Sequence, residues 1–318
     1  MVTEAGSSVG LSSVRPGRGT SLITVASVCF GTSGVLGKSG MTAGLSPAQV
    51  TSARIGLAAV LLAITTAAIR PRLLRVRRAE WPLLLGFGLL GVAGVQLCYF
   101  IAVKRLPVGI AMLLEYTSPV LIALWARVVR AARLPRAMWA GIALAMAGLA
   151  MIAQIWQGLR LDALGLLAGL GAAVCSAAFF LLAEHGAAKR TPLSMVTWGM
   201  IVGAVAVGTA APPWTLPGAV LTTPAALGPW HPPVWLVLLG LALFSTVVAY
   251  FLSTMSLRHL PASVASVLAL LEPVVAAGTA WALLGEALTL VQAVGAGVLL
   301  TGALLVQLNA PSRAQCLL

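Results

Sequence analysis

Seven Asp and Glu, three His and four Cys are all the acid, imidazole and thiol groups in a chain of 318 residues. Three charged residues stand deep inside long apolar runs, Arg54, Glu115 and Glu272, whereas Lys38 and Glu184 fall near helix ends, where snorkelling is cheap, and read as interfacial charges. An ionisable group at membrane depth is expensive, and it is retained where it faces a cavity or a partner. Counted along a helix, Arg54 lies roughly 10 Å below the start of its run, and Glu115 lies equally deep in another. Equal depth and opposite sign make them a candidate pair. Glu272 lies roughly 15 Å in, near a bilayer midplane, with no cation at its level. A carboxyl so placed can bind a cationic group or exchange a proton. The structural alternatives are that Glu115 only neutralises Arg54, and that Glu272 is a neutral acid bonded to backbone. Thr32, Gln96, Tyr99, Tyr116, Ser118, Tyr250 and Ser253 are expected on the same cavity face, although each alone reads as a helix–helix hydrogen bond.

Other chemistries lack the residues they need. His185, His231 and His259 have no metal-ligand spacing, and Cys29, Cys98, Cys175 and Cys316 form no CxxC pair, so neither a metal, a cofactor nor a disulfide framework is expected. The glycines of Gly86-Phe87-Gly88-Leu89-Leu90-Gly91 match a dinucleotide-binding pattern, but they lie in an apolar run with no strand before them. Close helix packing explains them better, as it does Gly165 and Gly169. No Ser/His pair can be assigned, and an enzyme is not the expected reading.

The elements that hold these residues follow from composition. Only 8% of residues are charged and 60% are apolar, with a mean hydropathy of +1.02. A soluble chain carries about 25% charged residues, so a water-soluble globule is excluded. A spanning helix needs about 20 mostly apolar residues. Ten runs qualify: 21–39, 47–69, 82–103, 108–127, 137–156, 163–183, 192–210, 233–255, 262–284 and 290–308. Backbone groups cannot stay unpaired in lipid, so an all-α membrane protein is predicted. Ser46-Pro47-Ala48-Gln49 reads as a capping box with Pro at the first helical position. The Pro-rich, uncharged stretch 211–233 reads as a loop, and 1–19 and 309–318 read as cytoplasmic tails, the first disordered. The first run is too long for a cleaved signal.

The net charge is +13. With both termini cytoplasmic, 15 of the 20 Lys and Arg fall on that side, five of them at 70–78, and only Lys104, Arg105 and Arg160 fall outside. That asymmetry predicts the orientation in a cell (inner or plasma) membrane. A nucleic-acid footprint would need a basic soluble domain, and none is predicted; the partners expected are the bilayer, a small organic solute and protons.

Self-comparison reveals a repeat. An offset of 154 brings Leu106-Pro107 onto Leu260-Pro261, Pro119-Val120 onto Pro273-Val274, and Gly141 and Gly148 onto Gly295 and Gly302. Upstream the offset is 146, bringing Val28-Cys29 onto Val174-Cys175. Two halves, 20–156 and 161–308, result. Five helices is an odd number, so the second half enters the membrane inverted, as in many carriers. Pro119 and Pro273 deprive their helices of one backbone bond each and predict kinks at equivalent places.

Leu271-Glu272-Pro273-Val274-Val275, with Leu284-Gly285-Glu286 closing the run, resembles the ninth helix of EamA-type transporters in the drug/metabolite transporter superfamily. Phe30-Gly31-Thr32-Ser33-Gly34 and Tyr116-Thr117-Ser118-Pro119-Val120 resemble that family's first and fourth helices. The resemblance covers 20–308 and implies ten helices in two inverted repeats, a central cavity and export of small metabolites or drugs. One departure is that Glu286 has Ala132 as its counterpart in the first half. Alternating-access export of a metabolite, amino acid or drug, coupled to protons, is therefore the expected function. A membrane-embedded enzyme, a lipid-handling protein and a non-transporting sensor are the alternatives.

Overall fold

The computed structural model describes residues 15–106, 108–132, 134–155, 162–187, 189–285, 287 and 289–309. These residues are helical apart from turns, loops and two isolated bridges, Pro224 to Pro233 and Leu227 to Trp230. In chain order the long helices are α1 (Pro16–Thr42), α2 (Pro47–Ile69), α3 (Arg78–Val103), α4 (Ile110–Val128), α5 (Arg136–Ile152), α6 (Ala163–Ala187), α7 (Pro192–Ala210), α8 (Val234–Ser256), α9 (Ala262–Leu283) and α10 (Leu290–Leu308). Among the described residues, nine of these are long and apolar enough to cross a membrane. Helix α5 is the exception, with 17 residues; that is about 25 Å against a hydrocarbon core of about 30 Å.

Helix α1 begins earlier than its apolar run. Pro16 sits in its first turn, where a missing N–H costs nothing, so residues 16–19 are helical and not part of a tail. Residues 1–14 and 310–318, Pro107, Arg133, Glu286 and Cys316 lie outside the described residues. The box at Ser46 forms as expected: Gln49 N–H donates to Ser46 Oγ at 3.2 Å, and Ser46 N–H donates to Gln49 Oε1 at 2.9 Å. Thr289 and Gln292 build the same box at the start of α10.

Both proline-bearing helices are interrupted. Helix α4 breaks between Val108–Glu115 and Ser118–Val128, and α9 between Ala262–Leu268 and Leu271–Leu284. Pro119 and Pro273 occupy the first turn of the second segment in each case, where no backbone donor is required. Helix α1 also breaks, at Thr32, without a proline. Helices α3 and α8 each widen into a π-helical stretch, Phe87–Gly94 and Leu243–Val248; such local widening is frequent at functional sites.

Glycines set the closest helix approaches. A Cβ on Gly148 would stand 2.6 Å from the Gly295 carbonyl oxygen, and one on Gly141 2.9 Å from that of Gly302, so α5 and α10 lie backbone to backbone. Gly19 receives the side chain of Leu260, and Gly165 that of Leu106. Gly88 and Gly91 seat Val202 of α7 and Phe179 of α6, which accounts for the glycine run in α3 by packing. The 211–233 segment is built rather than loose: it includes a turn of helix at Gly218–Leu221, and Ala225 is buried with Leu45, Val50, Val234 and Leu238.

Candidate solute-binding cavity

A cavity of about 720 Å³ opens among α1, α2, α3, α4, α6, α8 and α9, within the roughly 300–1,000 Å³ range of small-molecule sites. Its walls follow helical periodicity. Along α9 the lining residues are Ser266, Ala269, Glu272, Ala276 and Ala280, one stripe at three- and four-residue steps. Small residues on that stripe leave the space open, and Glu272 is its one charge. Along α1 the lining continues through Phe30, Gly34 and Gly37 to Lys38 and Met41.

Arg54, Gln96, Glu115, Tyr116, Ser118, Tyr250 and Glu272 all line this cavity, together with Tyr99 and Ser253. Thr32 is not among the lining residues. Its hydroxyl donates to the Cys29 carbonyl at 2.7 Å and shares a 2.9 Å hydrogen bond with Ser245 of α8, so it ties the break in α1 to the π-helical stretch of α8.

The charged groups share the cavity without a direct ion pair among the described residues. Among the described residues Arg54 makes no ion pair, and its Nε is buried without a hydrogen-bond partner. Arg54 lies within electrostatic reach of both Glu115 and Glu272 without a direct ion pair to either: depth fixes height along a helix but not which wall the side chain projects from. Helix α2, which carries Arg54, packs on α7 and α8, whereas α4 packs on α6, and α9 on α1. Glu115 sits at the end of the first segment of α4 and Glu272 at the start of the second segment of α9. Tyr116 stands beside Glu272, and Gln96 beside Tyr250. Ser176 donates to Ser118 at 3.1 Å. Phe30 and Phe179 stack edge-on to Tyr250 with ring centroids 5.1 and 5.4 Å away, forming an aromatic wall.

Several residues of consequence are not legible as site residues from sequence. Lys38, read from position as an interfacial charge, lines the cavity, and so do Phe30, Phe179 and Phe180. Glu184, read the same way, is buried: it forms a 2.6 Å ion pair with Arg130 and accepts the Ala262 N–H at 2.9 Å. This cluster ties α6 to the start of α9. The one available signal was an acid near the end of α6 facing a helix start, where a carboxylate favours the unpaired N–H groups.

A bundle of apolar helices enclosing a solute-sized, charged cavity defines a multi-pass membrane transporter. The chain belongs to the EamA-like transporter family, whose model matches it twice, over residues 17–154 and 163–308. It is 28% identical over 256 residues to the threonine/homoserine exporter RhtA of Escherichia coli K12, a match covering 80% of each chain. It is 29% identical to RhtA of Salmonella typhimurium LT2, over 76% of each, and 27% identical to the uncharacterized transporter YwfM of Bacillus subtilis, over 79% of this chain and 80% of that one. A solved crystal structure superposes with a TM-score of 0.74 over 92% of this chain and 98% of its own, at 19% identity, which shows a shared fold.

Proposed function

We propose that this chain is a secondary carrier that exports a small organic solute across a cell membrane, through the cavity carrying Glu115 and Glu272. The observation that carries the proposal is the cavity itself: about 720 Å³, lined from seven helices, with Arg54, Glu115 and Glu272 facing it. Its chemistry is that of binding and release. Tyr116, Gln96, Tyr250 and Ser118 supply hydrogen bonds, the aromatic wall supplies contact, and a buried carboxyl can take up a proton as solute leaves.

On this reading α1–α5 and α6–α10 are two inverted repeats, ten spanning helices in all, with α5 accommodated by thinning or tilt at modest cost. Two sets of contacts support it. Gly19 with Leu260 and Gly165 with Leu106 are related by the offsets of 146 and 154 that align the halves. In the α5–α10 pair, Gly141 meets Gly302 and Gly148 meets Gly295, so each glycine meets the repeat counterpart of the other, the self-complementary pattern of a two-fold interface. The double match of the family model supports it as well. The Lys and Arg asymmetry supports cytoplasmic termini, and the cavity mouth at Lys38 and Met41 then faces outward. Arg130, Glu184 and Ala262 form the closed cytoplasmic end, and alternating access requires that they part.

Relatives named as threonine/homoserine exporters make those amino acids the first compounds to try. The test is efflux from proteoliposomes of a panel of amino acids and neutral metabolites, under an imposed pH gradient. The carrier reading requires protein-dependent flux of at least one solute. Proton coupling requires that Glu115→Gln or Glu272→Gln abolish the response to the gradient. If both variants matched wild type, coupling through these acids would be wrong; if no solute moved, the carrier reading would be wrong.

A further inference from the structure

The two signs of charge in the cavity are placed as a binding device. Arg54 reaches it from α2 and Lys38 lines it toward the end of α1, while Glu115 and Glu272 reach it from α4 and α9. In an apolar surrounding, opposite charges that can touch do so, because little water competes for them. Here they act on one another across the space without touching: among the described residues Arg54 has no direct ion pair, its buried Nε has no acceptor, and neither glutamate is in direct contact with a cation. Two carboxyls facing one space also repel each other when ionised. Both defects would be repaired by a ligand with an anionic end and a cationic end.

Resting on the carrier reading, we infer that the cavity selects zwitterions, with the solute's carboxylate on Arg54 and its ammonium between Glu115 and Glu272. A planar guanidinium suits a carboxylate, which it can engage with two parallel hydrogen bonds. A compact ammonium has three donors to share between two carboxyl groups. The aromatic wall of Phe30, Phe179 and Tyr250 then faces the side chain of the solute, and by its size sets how large that side chain is. Inorganic cations and simple carboxylic acids each satisfy only one pole.

The test measures binding of three probes to the purified full chain in nanodiscs: L-threonine, its methyl ester and 2,3-dihydroxybutanoate. The ester lacks the carboxylate, and the dihydroxy acid lacks the ammonium. Wild type is expected to bind threonine on the order of tenfold or more tightly than either analogue, a difference of about 1.4 kcal/mol per tenfold. Arg54→Gln should erase the preference for threonine over its ester and leave the preference over the dihydroxy acid. Glu115→Gln with Glu272→Gln should do the reverse. Each readout is a ratio between two ligands on one protein, so partial misfolding of a variant does not move it. Equal binding of all three probes by wild type, or an unchanged ester ratio in Arg54→Gln, would overturn the inference. If none of the probes bound while proteoliposomes carried another solute of the panel, zwitterion selectivity would fall and the carrier would stand. If nothing were carried either, the fault would lie in the carrier reading.

Discussion

At the residue scale, the charges divide into those that face the cavity and those that tie helices together. Glu184 belongs to the second group. Its carboxylate is buried, pairs with Arg130 and caps α9 through Ala262. Removing one partner of a buried pair leaves the other charge uncompensated, at a cost of about 3–5 kcal/mol. Arg130→Ala is therefore expected to destabilise the packing at the start of α9 strongly. Glu184→Gln keeps an acceptor for Ala262 and is expected to be milder. In a variant without native cysteines, Ser263→Cys reports this: its labelling by a thiol reagent from the cytoplasmic side should rise most with Arg130→Ala. Equal labelling with and without Arg130 would remove the pair from the closure. Glu115, Glu272 and Arg54 were legible in the sequence because a charge inside an apolar run has few explanations. Their partners were not, because hydropathy gives depth and not azimuth. Lys38 and Glu184 looked interfacial for the same reason, and the Ala262 N–H that engages Glu184 lies 78 positions away in the chain.

At the element scale, breaks and glycines decide how the helices meet. The interruptions of α4 and α9 were legible from Pro119 and Pro273, since a proline cannot complete the preceding turn. The break at Thr32 and the π-helical stretches of α3 and α8 carry no proline, and nothing in their composition marks them. The glycine contacts give a direct prediction. A Cβ on Gly148 would meet the backbone of α10, whereas a Cβ on Gly297 of the same helix pair meets nothing within 4 Å. Gly148→Ala should cost about 1–3 kcal/mol by overpacking. Gly297→Ala should be neutral or stabilising, by up to about 1 kcal/mol from helix propensity. Thermal unfolding of the two variants in detergent distinguishes them. Equal melting temperatures would mean that α5 and α10 do not rely on this approach.

At the scale of the whole molecule, the proposed orientation rests on the positive balance of the chain, read as an orientation device and not as a binding surface. Residues 1–155 hold 15 Lys and Arg against Glu4, Glu80 and Glu115, whereas the remainder is nearly balanced. One positive charge of the second half is structural: Arg190, just before α7, pairs with Glu80 at 3.1 Å and donates to the Leu73 and Arg75 carbonyls, pinning the 71–80 connection. Sidedness follows from the same charges. Met41→Cys, on the cavity lining, should react with an impermeant thiol reagent added outside intact cells, and Ser263→Cys should not. The opposite pattern would invert the orientation.

Alternating access makes one demand that a channel, an enzyme or a sensor does not. The cavity must return across the membrane after each delivery, and it returns faster when loaded. Counterflow tests this directly: proteoliposomes filled with unlabelled solute, threonine first, are diluted into a trace of the labelled compound. Transient accumulation of label above its equilibrium level is expected, dependent on the protein and lost in Glu272→Gln. Label that only equilibrates, at a rate indifferent to the solute inside, would contradict it.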